Sequence, residues 1–154
     1  MTVLPFVLAA MTQLAPGRDH NELGEAIART VDSNKPLFAN DADRRRTAAL
    51  LVAVAYREST FIADAVGDKG QSFCAFQIHR SSGGTPALLH DTDECVRSAM
   101  TMLRTSLRVC PSYPIAWYAS GPAGCGSTRA QRISRDRMNL AAYLVGQVKV
   151  QTAA

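Results

Sequence analysis

The stretch Ala48-Ala49-Leu50-Leu51-Val52-Ala53-Val54-Ala55-Tyr56 is apolar on every side of a helix. A helix without a polar face is buried, either inside a domain or inside a bilayer. This one falls short of the about 18 to 20 apolar residues that a membrane span needs, and no other stretch reaches that length. The chain must therefore wrap other elements around this helix. With 154 residues it has enough material to do so as one domain, residues 1–154. Hydrophobic residues make up 47% and aromatics only 6%, so the core has to be built mainly from Ala, Val, Leu, Ile and Met.

The punctuation around that helix predicts more helices. Residues 2–14 read as a helix stopped by Pro16-Gly17, and Asp19 or Asn21 caps a second through about Thr30. Together they form an N-terminal helical part, about residues 1–40. The residues before Met11 are apolar but lack a basic n-region and an A-x-A-like site. They are expected to pack on the domain rather than to be a signal peptide. Asp41 or Asp43 caps the apolar helix, which runs to about Arg57; Arg44-Arg45-Arg46 is read as its solvated start. Asp91 or Asp93 opens a helix from about Glu94 to Val109, with Val96, Ala99, Met100, Leu103 and Leu107 on one face and Pro111 after its end. A short helix from Pro114 to about Ala119 and a last one from Ser134 to Gln147, capped by Ser134, complete the set. Between them Gly67 to Gly70 is a turn, and Ser72 to Ile78 has strand character. The expected fold class is mostly α, an α+β arrangement with one small extended element.

Glu58 stands at the end of the buried helix. An apolar wall disfavours the charged form of a carboxyl and raises its pKa. A carboxylic acid kept neutral near working pH can protonate a glycosidic oxygen. Taken alone, Glu58 reads rather as a helix-end residue pairing with Arg57 or pointing to water.

Three blocks surround this residue in the chain: Tyr56-Arg57-Glu58-Ser59-Thr60-Phe61, then Ala65 to Ile78 with Gly67-Asp68-Lys69-Gly70 and Ala75-Phe76-Gln77-Ile78, then Trp117-Tyr118-Ala119-Ser120-Gly121. In this order they resemble the SLT-type lytic transglycosylases and goose-type lysozymes of the lysozyme-like superfamily. Those proteins show a Glu-Ser pair closing an apolar helix, a Gly-rich turn leading into Met-Gln-Ile, and a later Tyr-Asn-Ala-Gly segment. The resemblance covers about residues 47–145. It departs at Phe76, where Met is usual, at Cys74, where Gly is common, and at Ala119-Ser120.

The resemblance implies a lysozyme-like catalytic domain with its extended element beside the active-site cleft. The implied activity cuts the MurNAc–GlcNAc β-1,4 bond of peptidoglycan, by transglycosylation or by hydrolysis. Glu58 matches the acid/base. Ser59 matches the serine that helps position a sugar or the Glu. Gln77 and Ile78 match the cleft floor, and Tyr118 the tyrosine whose hydroxyl approaches the catalytic carboxyl. No cofactor or metal is implied. A second carboxylate, which most glycosidases need, would come from Asp64 or Asp68, each of which also reads as a loop cap. Transglycosylases of this family manage with one carboxyl, because the substrate's acetamido group assists and its 6-hydroxyl attacks. His79 and Trp117 read as a hydrogen-bonded histidine and a core tryptophan, with cleft-lining as the alternative.

Four cysteines, Cys74, Cys95, Cys110 and Cys125, have no C-x-x-C spacing that suits zinc, and point to two disulfides and an oxidising compartment. Cys95 and Cys110 at opposite ends of one helix would lie about 22 Å apart, beyond the reach of a disulfide. Cys74–Cys95 with Cys110–Cys125 is favoured, and Cys74–Cys110 with Cys95–Cys125 stays open.

The net charge of +4 suits the anionic polymers of a cell wall but also nucleic acid or anionic lipid. A nucleic-acid binder is disfavoured, because Arg132, Arg135 and Arg137 share the last helix with Asp136 and form no clustered recognition face. The remaining expectations are a monomer acting on peptidoglycan strands in the periplasm or cell wall, without stable membrane insertion. A phage endolysin or virion-borne lysin needs no signal peptide. The competing class is a non-catalytic glycan-binding or virion module on the same fold.

Overall fold

The computed structural model describes residues 1–150. Its element order is α1 (Leu4–Leu14), α2 (Asn21–Asp32), α3 (Arg45–Ser59), β1 (Val66–Gly67), β2 (Ser72–Phe73), β3 (Ile78–His79), α4 (Thr92–Val109), α5 (Ala116–Ser120) and α6 (Thr128–Gln147), with short 3-10 turns at Arg80–Ser82, Pro86–His90 and Gly121–Gly126. The three strands form an antiparallel sheet in the order β1-β2-β3, with Val66 opposite Phe73 and Phe73 opposite Ile78. The fold is mostly α with one small sheet.

The apolar helix is α3, and every residue from Thr47 to Ala55 is buried. It is packed against α6, α1 and α2. Complete burial of Leu50 and Leu51 alone contributes about 1.5–3 kcal/mol each. The first turn of α3 is capped from outside the helix. Buried Asp41 accepts from the backbone N–H of Arg46 (2.9 Å) and Thr47 (2.8 Å), and from the Thr47 hydroxyl (2.6 Å). Asp43 accepts from the N–H of Arg45 at 3.1 Å. The adjoining arginines lie over aromatic rings, Arg45 above Phe6 and Arg46 above Phe38.

α1 packs onto α2 and α3 through buried Phe6, Val7, Ala10 and Met11. On α4, Val96, Ala99, Met100 and Leu103 are buried as the periodicity requires, and Leu107 packs at the core's edge. Of its two candidate caps, Asp91 accepts from the N–H of Glu94, while Asp93 pairs with Arg29. No helix among the described residues is long and apolar enough to cross a membrane.

Two expectations need correction. The last helix begins at Thr128, a turn and a half before Ser134. Its cap is Ser127, whose side chain accepts from the N–H of Ala130, and Ser134 is buried mid-helix with its hydroxyl accepting from the N–H of Ile115 (3.0 Å). The segment Ser72 to Ile78 is two strands joined by a tight turn, because Cys74 and Gln77 both take left-handed backbone conformations, with φ of 67° and 51°. The cysteines pair as Cys74–Cys95 and Cys110–Cys125, with Cα separations of 6.3 and 5.4 Å. The first ties the hairpin turn to the start of α4, and the second ties the end of α4 to the turn that precedes α6.

Candidate active site

α3 runs two residues beyond Arg57, which puts Glu58 inside its last turn. The chain then reverses through two left-handed residues, Thr60 and Phe61, and returns as the β-hairpin beside the helix end. Ser59 makes this junction. Its hydroxyl donates to the Ala75 carbonyl (2.7 Å) and accepts from the N–H of Ile62 (3.1 Å), so it ties helix to hairpin.

Between the hairpin and α5 lies a cleft of about 520 Å³ with a predominantly polar lining. Glu58, Asp68, Gln77 and His79 line it from the helix end and the hairpin, and Trp117 to Pro122 form the facing wall. The Glu58 side chain is 24% exposed. Burial raises its pKa above 4.5, Arg137 opposes that rise, and Asp68 adds to it.

The hairpin side of the cleft is held in an uncommon backbone shape. Asp68, Lys69, Cys74 and Gln77 all have positive φ, at a cost of about 1–3 kcal/mol for each non-glycine residue. The surroundings enforce it. The Gln77 amide donates to the carbonyls of Ala65 (3.1 Å) and Cys74 (2.9 Å), the Cys74–Cys95 link anchors the turn, and Ser72 donates a short hydrogen bond to Asp68. A side chain at Gly67 would come within 2.1 Å of Gln77 Oε1, so this position has to be glycine for the amide to lie there. Strained backbone of this kind gathers at functional sites.

The predicted site residues separate into two groups. Glu58, Gln77 and Tyr118 line the cleft together, whereas Ser59 and Ile78 do not. Ile78 is fully buried and supports the floor from below. Tyr118 sends its hydroxyl proton to the carbonyl of Phe76 at 2.6 Å, bridging α5 to the hairpin turn. Burial, and the charge of Glu58 next, hold this phenol well above its usual pKa, so it stays a donor.

No protein-family model, no curated protein and no solved structure matches the chain. The chemistry of the cleft has to be read from its own side chains.

Of the two candidate second carboxylates, Asp68 lines the cleft and Asp64 does not. Trp117 is half-buried rather than a core residue: it lines the cleft and packs on the edge of the small cluster around Cys110, Ala116 and Ala130. His79 lines the cleft with its Nδ1 accepting from the Ser81 N–H (3.1 Å). In the neutral ring this leaves the proton on Nε2.

One charged residue beside Glu58 stands in the sequence only as part of the mixed-charge last helix, with no link to the site. Arg137 of α6 places Nη2 3.6 Å from Glu58 Oε1, and its side chain is only 16% exposed. A signal for it exists in the chain. Ala130, Ser134, Ala141 and Leu144 form the buried stripe of α6, and Arg137 falls on that stripe. An arginine at an inward position needs a carboxylate partner.

Proposed function

We propose that this chain is a member of the lysozyme-like superfamily that cleaves the MurNAc–GlcNAc β-1,4 bond of peptidoglycan, with Glu58 as acid/base. The observation that carries this reading is a half-buried carboxyl, its pKa raised by burial, opening into a polar cleft. A raised pKa keeps the proton on Glu58 further up the pH scale, where it can be passed to the glycosidic oxygen as the bond breaks. In the transglycosylase route the acid then becomes the base for the attacking 6-hydroxyl. The cleft offers what a sugar needs around that step. Trp117 presents an aromatic ring, which suits the apolar face of a pyranose. The serines of both walls offer hydrogen-bond partners for hydroxyl and acetamido groups, and Gln77, whose amide protons are spent on Ala65 and Cys74, has only its Oε1 left, as an acceptor.

Asp68, in the same cleft, is the group available to activate water. Its presence favours hydrolysis, the muramidase route. Transglycosylation would use Glu58 alone, with the acetamido group assisting and the 6-hydroxyl attacking to give a 1,6-anhydro sugar. The two disulfides fit an oxidising, extracytoplasmic compartment. The proposed place of action is the periplasm or cell wall, for a monomeric enzyme of the phage endolysin type.

The test is loss of turbidity of purified peptidoglycan under wild type and Glu58→Gln. The expected outcome is clearing by wild type and none by the variant. Equal clearing by both would remove Glu58 from the chemistry, and no clearing by wild type would favour a glycan-binding module. Mass spectrometry of the fragments separates reducing ends from anhydro ends.

A further inference from the structure

Arg137 has two carboxylates within reach and treats them differently. Its Nη1 makes a 2.8 Å hydrogen bond with Asp136 Oδ2, whereas its Nη2 stands 3.6 Å from Glu58 Oε1, a longer and weaker contact. Asp136 is held from its other side by Arg57 of α3, whose Nε lies 3.1 Å from the same Oδ2. Arg137 Nε is buried with no hydrogen-bond partner. The guanidinium thus sits closer to its neighbour on α6 than to Glu58, and does not meet Glu58 in the close bidentate pairing that such groups favour when free.

We propose that Asp136 and Arg137 are a positioning pair for the acid, with Asp136 holding the guanidinium so that it orients Glu58 without forming a close ion pair. The inference rests on the reading of Glu58 as the acid of the cleft. A general acid beside an arginine faces a conflict. The cation fixes the carboxyl in place, but it also favours the ionised form, which has no proton to give. Asp136 resolves it by engaging the guanidinium first. Arg57 ties Asp136 back to the helix that carries Glu58, so the pair moves with the acid.

The other groups facing Glu58 do not duplicate this role. Asp68 from the hairpin is an anion, and it raises the Glu58 pKa instead of lowering it. Tyr118 from α5 is a neutral donor committed to the Phe76 carbonyl. His79 from β3 lines the cleft but bonds Ser81. Arg18, in the loop before α2, reaches the Thr60 carbonyl at 2.6 Å.

Two substitutions separate the pair from a merely structural contact, because they act in opposite directions. Arg137→Met removes the cation, so the alkaline limb of the pH–rate profile for peptidoglycan clearing should move up by about one pH unit. At acid pH, where Glu58 is protonated in both proteins, its kcat should still fall about tenfold from lost orientation. Asp136→Asn frees the guanidinium for Glu58, so the same limb should move down. The carboxyl carbon of Glu58, followed by NMR titration of glutamate-labelled protein, should move the same way in each variant and requires no turnover. Wild type that fails to clear peptidoglycan would remove the glycosidase reading and leave the titration to decide the pair. A Glu58 titration that is unchanged, or that moves in the same direction in both variants, overturns the pair. Asp136 is partly exposed, so the asparagine variant reports even if Arg137→Met does not fold: a shift that persists in high salt is the guanidinium closing on Glu58, and one that salt abolishes is only the loss of a screened charge and overturns the pair.

Discussion

Replacing Tyr118 by Phe removes one oxygen atom and should cost about 2 kcal/mol of folding stability. The Tyr118 hydroxyl donates to the carbonyl of Phe76 at 2.6 Å, and Phe76 is 0% exposed. The deletion therefore removes a hydrogen bond, worth about 0.5–1.5 kcal/mol net, and leaves a buried acceptor without its partner, a penalty of about 1–3 kcal/mol. The two figures overlap rather than add, which puts the loss near 2 kcal/mol. In a domain of this size that lowers Tm by about 4–8 °C. Tyr143→Phe is the matched control. That side chain is 51% exposed and its hydroxyl only accepts from Gln13 Nε2 at 3.2 Å, so the same chemical change there should cost under about 0.5 kcal/mol. Urea unfolding of both variants beside wild type measures the difference. If Tyr118→Phe proves as stable as Tyr143→Phe, the hydroxyl is not the brace between α5 and the hairpin turn, and its partner has to be sought in the cleft.

Glu58→Gln should be the more stable protein at neutral pH and above, whatever its effect on activity. The folded-state pKa of Glu58 is raised above 4.5, so the folded state holds this proton more tightly than the unfolded state. That contribution is fully present below the unfolded pKa and is lost as pH rises through the folded one. The stability advantage of the variant should therefore be absent near pH 4 and grow with pH across that window; urea midpoints that run parallel from pH 4 to 8 would contradict the raised pKa. Replacing Cys74 and Cys95 together by Ala should cost about 3 kcal/mol, from a link spanning 21 residues. It should also loosen the left-handed turn at Cys74 and Gln77, seen as faster amide exchange in the hairpin than in α3. Uniform exchange across both would mean that the turn holds its shape without the bond.

Much of the architecture was written in local patterns. The apolar run from Ala48 to Tyr56 demanded a buried helix, and α3 is one. The i, i+3, i+4 spacing on α4 named the residues that face the core, and the caps at Asp41, Asp43 and Asp91 followed from side-chain chemistry that operates over a few residues. Helix geometry excluded a Cys95–Cys110 link and left two pairings, of which the observed one was favoured because Cys110 and Cys125 flank the short helix. Where the start of the last helix was misplaced, the reason is equally local. Ser127 and Ser134 are both competent caps by residue type, and only the tertiary contact with Ile115 shows that Ser134 is inside.

The site divides along the same line. Sequence alone determined that Glu58 ends a buried helix, and that is enough to give a carboxyl an apolar wall. It did not determine what stands opposite. Ser59 and Ile78 flank site residues in the chain, yet one hydroxyl is spent on the Ala75 carbonyl and the other side chain faces the core. Arg137 lies far along the chain from Glu58, and only the packing of α6 on α3 brings them together. The physical reason is range. Capping, periodicity and helix rise act between residues a few positions apart, so they can be read along the chain. The balance of charge around a carboxyl depends on which side chains the completed fold sets within a few ångströms of it. For Glu58 that balance is burial raising the pKa, Arg137 lowering it, and Asp136 holding Arg137 at a distance.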